Sequence, residues 1–199
     1  MTVILVRHGE SEGNAAGIIQ GWLDTELTVK GQEQARAAGD QLAEMPIQAV
    51  YASPLKRAYH TGLAIAQKHD LEIISEPDLR EQRWGLAEGK TWEESTEKWN
   101  LKPGTDWASL IPEMEPNAVL RKRSYECFRR IADRHEDELV VCATHGGVII
   151  QLLAEILELE ETEWPRVRVL NGGLTTVTGN SKAFKLEGLN VAAISTGNR

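Results

Sequence analysis

Two short apolar runs, each handing over to arginine or histidine, constrain this chain more than any other feature. Val3-Ile4-Leu5-Val6 runs into Arg7-His8, and Leu139-Val140-Val141-Cys142-Ala143 into Thr144-His145-Gly146. A run without polar alternation suits a strand covered on both faces, and such strands belong to parallel sheets flanked by helices. Helical patterns separate the runs. Thr28 is placed to cap a helix from about Gly31 to Glu44, with Ala35, Ala38 and Leu42 on one face and Pro46 beyond its end. Val50-Tyr51-Ala52 reads as a short strand delivering Ser53-Pro54, an N-cap and first-turn proline opening a helix that carries Arg57, Thr61 and Ile65. Leu71 to Ser75 reads as a third strand and Leu139 to Ala143 as a fourth; Asn117 to His135 and Gly146 to Leu157 read as helices. The tail is expected to be β, with strands Leu174 to Val177, Ala183 to Leu186 and Val191 to Ile194, and turns at Gly179-Asn180 and Gly188.

This alternation predicts an α/β fold: a three-layer α/β/α sandwich with a mostly parallel sheet and an antiparallel edge strand, forming one domain over residues 1–199. Residues 82–116 break the pattern. They are rich in Trp, Glu and Pro, with one helical stretch near Trp92 to Trp99, and read as a small cap insertion over the carboxyl edge of the sheet, where sites of open α/β sheets lie.

Composition narrows the partners. A net charge of −8 argues against a nucleic-acid binder, which needs many Lys and Arg contacts to phosphate. The apolar N-terminus reaches Arg7 too soon for a signal peptide or a membrane span. The two cysteines, Cys127 and Cys142, are far apart and outside any CxxC pattern, so no disulfide framework is implied and a reducing, cytoplasmic setting is expected; Cys142, inside its apolar run, reads as a buried thiol. No His/Cys/Asp/Glu set has structural-zinc spacing and no P-loop is present; neither metal nor cofactor is expected. His60, His69 and His135 sit in amphipathic stretches and read as solvent-facing or paired with acids, and Glu155 to Glu163 reads as a solvated acidic helix end.

Three strand ends each release a polar cluster: Arg7-His8-Gly9-Glu10-Ser11 with Asn14 and Gln20; Ser53-Pro54 with Arg57; and Thr144-His145-Gly146-Gly147. Parallel neighbouring strands would bring two Arg and two His to one edge. Such a cluster in an acidic protein calls for an anion, and phosphate has oxygens enough to engage that many donors.

Taken in order, Leu5-Val6-Arg7-His8-Gly9-Glu10-Ser11 with Asn14, then Gly21-Trp22-Leu23-Asp24-Thr25-Glu26-Leu27-Thr28 with Gly31, then Ser53-Pro54-Leu55-Lys56-Arg57-Ala58, then Leu79-Arg80-Glu81 with Gly85 and Glu88-Gly89, and finally Val140 to Val148 resemble the motifs of the histidine phosphatase superfamily, which includes cofactor-dependent phosphoglycerate mutases. The resemblance runs to about Val148 and is looser beyond Trp164. It implies His8 as nucleophile, with its second ring nitrogen bonded to a backbone acceptor in the Gly9 turn, and Arg7, Arg57, His145 and Asn14 around the phosphoryl oxygens. It implies Glu81 as proton donor to the leaving oxygen, a task that favours a carboxyl protonated near neutrality. Without the family match, a surface salt bridge to Arg80 or Arg83 would be the reading for Glu81. Gln20, Gly21, Gly146, Trp22, Arg83, Trp84 and Trp107 complete the expected substrate-binding set. Trp92, Trp99 and Trp164 read as packing residues.

Departures from the family pattern bear on the substrate. Glu113-Met114-Glu115-Pro116-Asn117 stands where many relatives carry a Gly-Glu-Ser type motif, and Gln82 rather than arginine follows Glu81. The second, with an insertion shorter than that of the mutases, favours hydrolysis of a small phosphorylated metabolite over a mutase reaction. The alternatives are mutase-type phosphoryl transfer and a non-catalytic phosphoester-binding module; a homodimer stays open.

Overall fold

The computed structural model describes residues 1–160, 165, 167–180 and 182–191. Six strands form one sheet in the order β3-β2-β4-β1-β5-β6, with β1 Thr2–Arg7, β2 Ile47–Ala52, β3 Ile73–Ser75, β4 Leu139–Thr144, β5 Leu174–Asn180 and β6 Ala183–Val191. The first four are parallel. β5 pairs antiparallel with β1 on one side and with β6 on the other. The helices are α1 Glu12–Ala15, α2 Val29–Leu42, α3 Lys56–Ala66, α4 Trp92–Trp99, α5 Asn117–Arg134 and α6 Gly146–Ile156.

Successive side chains of β1 point to opposite faces, and each face meets its own helical layer. Val3 and Leu5 join Phe128 and Ile131 of α5 with Val148, Ile149 and Leu152 of α6. Ile4 and Val6 join Ala38 and Leu42 of α2 with Ile65 and Ala66 of α3. This is the expected three-layer sandwich. The central strands lie parallel with their carboxyl ends on one side: Arg7 sits opposite Thr144 and Ala52 opposite Ala143. His8, Ser53 and His145 therefore leave the sheet together.

Four local expectations fail. Ser53 is not the cap of α3, whose N-cap is Leu55 without a side-chain hydrogen bond. The helix starts at Lys56, and the Ser53 hydroxyl turns to His145 instead. In the tail, Gly188 does not make a turn; it lies inside β6, at a register shift opposite Thr176, so the strand reads through a local irregularity. Gly179 and Asn180 likewise end β5 as strand. Of the expected strand Val191 to Ile194, residues 192–194 lie outside the described residues, as do 161–163 of the acidic stretch; α6 itself ends at Ile156. His60 and His135 have acidic partners, Glu26 and Glu138, but His69 does not: its Nε2 is buried with no hydrogen-bond partner.

Candidate active site

At the carboxyl end of β1, His8 is 2% exposed, and its Nδ1 lies 2.7 Å from its neighbour Gly9's carbonyl oxygen. A carbonyl only accepts, so Nδ1 carries the proton and Nε2 keeps its lone pair. Burial, and then the positive charges of Arg57 and Arg7, hold the His8 pKa well below the usual histidine value. The imidazole is neutral at neutral pH. His145 faces it, with ring centroids 5.2 Å apart. The Ser53 hydroxyl meets His145 Nε2 at 2.8 Å and receives the Leu55 amide at 3.3 Å. With the hydroxyl donating to Nε2, the proton of neutral His145 sits on Nδ1, which has no partner. Burial and the same arginines push its pKa down as well.

The two guanidinium groups are anchored from behind. Arg57 is 1% exposed and donates Nη1 to the Leu23 carbonyl at 2.7 Å and Nη2 to the Gly21 carbonyl at 2.8 Å. Arg7 donates Nη1 to the Val169 carbonyl. The Nε–H of each is buried and unpaired, like Nδ1 of His145. Three orphaned cationic or polar donors in one electrostatically coupled cluster are costly unless an anion completes them. Burial lowers the pKa of both arginines, and the negative charge of Glu81 acts against that.

Glu81 is half-buried at the edge of this cluster. Its Oε2 accepts from the Gly147 amide at 3.2 Å and its Oε1 from the Gln82 amide at 2.8 Å. Gly147 lies in the first turn of α6, whose leading amides have no partner within the helix. Neither Arg80 nor Arg83 forms an ion pair with Glu81 among the described residues: Arg80 stacks 3.9 Å from the Trp22 ring centre, and Arg83 pairs with Glu113.

The remaining expected residues are placed differently from one another. Gly146 adjoins Arg7, since a Cβ there would lie 3.5 Å from Arg7 Nε. Asn14 and Gln20 have their amide oxygens occupied: Asn14 Oδ1 takes the Ser11 amide and Asn171 Nδ2, while Gln20 Oε1 takes the Thr25 hydroxyl and, at 2.7 Å, the Ser11 hydroxyl. That orientation leaves the NH2 ends as donors. Gly21 contributes a carbonyl to Arg57 and has φ +50; a side chain there would strike Glu88 Oε1 at 2.2 Å. Trp22 donates its indole N–H to the Glu81 carbonyl at 2.8 Å, bracing the acid's backbone. Arg83 faces solvent. Trp84 and Trp107 lie apart from the arginines, in an aromatic cluster with Trp92. Trp92, read from the sequence as a packing residue, is 45% exposed; it sits on a short amphipathic helix whose buried residue is Ser95.

Several residues essential to this geometry carry no sequence signal by themselves. The Glu88 carboxylate receives the Trp22 and Trp84 amides at 3.0 and 2.9 Å, tying the two loops that flank Glu81. Thr61 accepts from the Gly9 amide at 3.1 Å and donates to the Arg57 carbonyl at 2.7 Å, fastening the His8 loop to α3. Asn171 holds the His8 carbonyl at 3.0 Å. Arg123 donates to the carbonyls of Asp78, Arg80 and Glu81 and to Glu115. Of these, the Asn-Gly-Gly at 171–173 ahead of a strand was the nearest to a visible cue. No group of three His, Cys, Asp or Glu side chains among the described residues is arranged to hold a metal ion.

An imidazole with a free lone pair, two guanidiniums and a carboxylate at one sheet edge define a site for phosphoryl chemistry. Residues 3–192 match the model of the histidine phosphatase superfamily (branch 1), and the chain belongs to that family. It is similar to a metal-independent phosphoserine phosphatase of Arabidopsis thaliana, 37% identical over 164 residues, covering 78% of this chain and 68% of the relative. It is also 38% identical over 157 residues to phosphoglycerate mutase-like protein 4 of the same plant, covering 75% of this chain and 68% of that one. Among solved structures, a phosphoserine phosphatase from Entamoeba histolytica in complex with 3-phosphoglyceric acid superimposes with a TM-score of 0.84 at 30% identity, covering 96% of this chain and 97% of the other.

Proposed function

We propose that this protein hydrolyses a small phosphomonoester through a phosphohistidine on His8, with Glu81 as proton donor. The observation that carries the reading is the set of three buried donors without partners, Arg7 Nε, Arg57 Nε and His145 Nδ1, beside an imidazole whose Nε2 is free to attack.

In the first step Nε2 bonds to phosphorus as the ester P–O bond breaks in line, and Glu81 gives its proton to the departing alkoxide. The three donors, with the Asn14 and Gln20 amides, carry the charge on the phosphoryl oxygens; one such contact is worth about 2.7–4 kcal/mol in the transition state. In the second step Glu81, now a carboxylate, takes a proton from water as that water attacks phosphorus. The N–P bond breaks, and phosphate and neutral His8 are released. Protonation at Nδ1, secured by Gly9, lets Nε2 be the leaving and attacking atom throughout. Residues 82–116 serve in this reading as the cap beside the site. The two buried free thiols, Cys127 and Cys142, fit a reducing cytoplasmic setting.

Release of inorganic phosphate from p-nitrophenyl phosphate and a panel of phosphorylated metabolites tests the proposal, with His8→Ala as blank. Turnover lost in His8→Ala, with no isomer formed from phosphoglycerate, is the expected result. Isomer formation without net phosphate release would move the protein to the mutase reading, and phosphate release that survives His8→Ala would remove the phosphohistidine.

A further inference from the structure

Reaching the site through Gly147 alone among the described residues is a cavity of about 360 Å3 walled by Trp84, Trp92, Trp107, Met114, Leu120 and Ile150. The three indoles touch each other edge-on or tilted, with ring centroids 5.2, 5.5 and 6.3 Å apart, and none is fully covered. Gly147 also lines this cavity, and its amide donates to Glu81 Oε2 at 3.2 Å. The carboxyl assigned to protonate the leaving oxygen thus stands at the boundary between cradle and cavity. The alcohol attached to that oxygen extends from Glu81, and this cavity is the space that borders it.

Charge decides what kind of alcohol fits. Among the described residues no charged side chain lines the cavity. One end of each glutamine amide is held by the protein: Gln82 Nε2 donates to the Glu115 carbonyl and to Asn117 Oδ1, both at 2.8 Å, and Gln151 Oε1 accepts from Arg121 at 2.9 Å. Of the arginines around it, Arg83 and Arg123 pair with Glu113 and Glu115, Arg121 is held by Gln151 and the Leu159 carbonyl, and Arg80 lies over the Trp22 ring. A carboxylate or ammonium entering here would give up its hydration without a counter-ion, whereas a flat apolar group gains by covering the indole faces. We infer, resting on the phosphomonoesterase reading, that the preferred substrate is the phosphate ester of an uncharged alcohol bearing an apolar ring, held in this tryptophan cavity, and not an amino-acid or glycerate ester.

The test compares kcat/KM for 2-phenylethyl phosphate, ethyl phosphate, O-phosphoserine and glucose 6-phosphate. All four are primary alkyl esters, so the step that breaks the P–O bond is closely matched. The phenyl ring should raise kcat/KM over ethyl phosphate by about tenfold or more, the increment expected for burying one such ring. 2-Phenylethyl phosphate should also outrank the serine and glucose esters. Trp92→Ala, a change at an exposed position, should cut the phenylethyl-to-ethyl ratio at least threefold. A ratio near one, a ratio that Trp92→Ala leaves unchanged, or preference for O-phosphoserine or glucose 6-phosphate overturns this inference while His8-dependent phosphate release preserves the phosphatase reading. No turnover of any ester, p-nitrophenyl phosphate included, overturns both.

Discussion

Gly147→Ala should separate proton delivery from phosphoryl transfer. A methyl group at that position would lie 2.2 Å from Glu81 Oε1, whereas ordinary contact begins at 3.4 Å. The obstacle is the tip of a flexible side chain, so the carboxylate yields, retreating by about 1.2 Å, and a displacement of that size in a reacting group costs roughly 10²-fold. The backbone gains from the change, because alanine is favoured over glycine inside a helix by about 0.5–1 kcal/mol. The His8 cradle is not touched. An ester with a poor leaving group, such as ethyl phosphate, should therefore lose about 10² to 10⁴ in kcat, the usual contribution of a general acid. p-Nitrophenyl phosphate, whose phenolate leaves without help, should lose less than about tenfold in its first step. Burst kinetics with p-nitrophenyl phosphate isolate that step from hydrolysis of the phosphohistidine, and a thermal melt confirms that the variant is folded. Equal losses in phosphoryl transfer from both esters, or none in either, would refute the placement of the acid.

Three further outcomes follow from the geometry. Stability should fall with pH below about 6.5: both His8 and His145 have depressed folded pKa values, so the unfolded chain takes up their protons first, each adding a slope of about 1.4 kcal/mol per pH unit until its folded pKa is reached. The drop in melting temperature from pH 7 to 5 should be smaller in His8→Ala, and an equal drop would contradict the assignment. Arg57→Lys keeps the charge but loses the fork that holds the Gly21 and Leu23 carbonyls while presenting Nε–H, so kcat should fall about 10²–10³-fold, with a lower melting temperature; activity within threefold of the parent would argue against a role in the cradle. Because cationic side chains supply the charge stabilisation, turnover should survive a strong chelator and be inhibited by vanadate, and loss of activity restored by Mg²⁺ would contradict the mechanism.

What the sequence disclosed and what it hid divide along a physical line. β1 and β4 were legible because unbroken apolar runs have few other uses, and the cradle was legible because Arg7-His8 and His145 follow those runs directly. Thr28 was legible as a cap: its hydroxyl does receive the Gly31 amide at 3.0 Å. Ser53 looked identical in kind, yet its hydroxyl serves a histidine 92 residues away, a competition that local pattern does not record. Glu88, Thr61, Asn171 and Arg123 act through long-range bonds to backbone groups, and backbone groups leave no mark in residue identity. Gly188 resembled a turn because glycine permits one, but pairing with β5 outweighed that freedom. Trp92 was assigned to packing on hydrophobicity alone, which does not tell an indole in a core from one lining a cavity.

The sheet order has a consequence for synthesis. β1 finds its two neighbours only at residues 139–144 and 174–180, so of the six strands it precedes its partners by the longest stretch of chain. A ribosome-bound or proteolytically shortened chain ending before Leu139 exposes six residues of unpaired, mostly apolar backbone at its start, a template for aggregation that the finished molecule conceals. Loop closure across more than 130 residues also makes assembly of the sheet edge that carries His8 and His145 a late event in folding. Truncated fragments of this protein should be both inert and sticky.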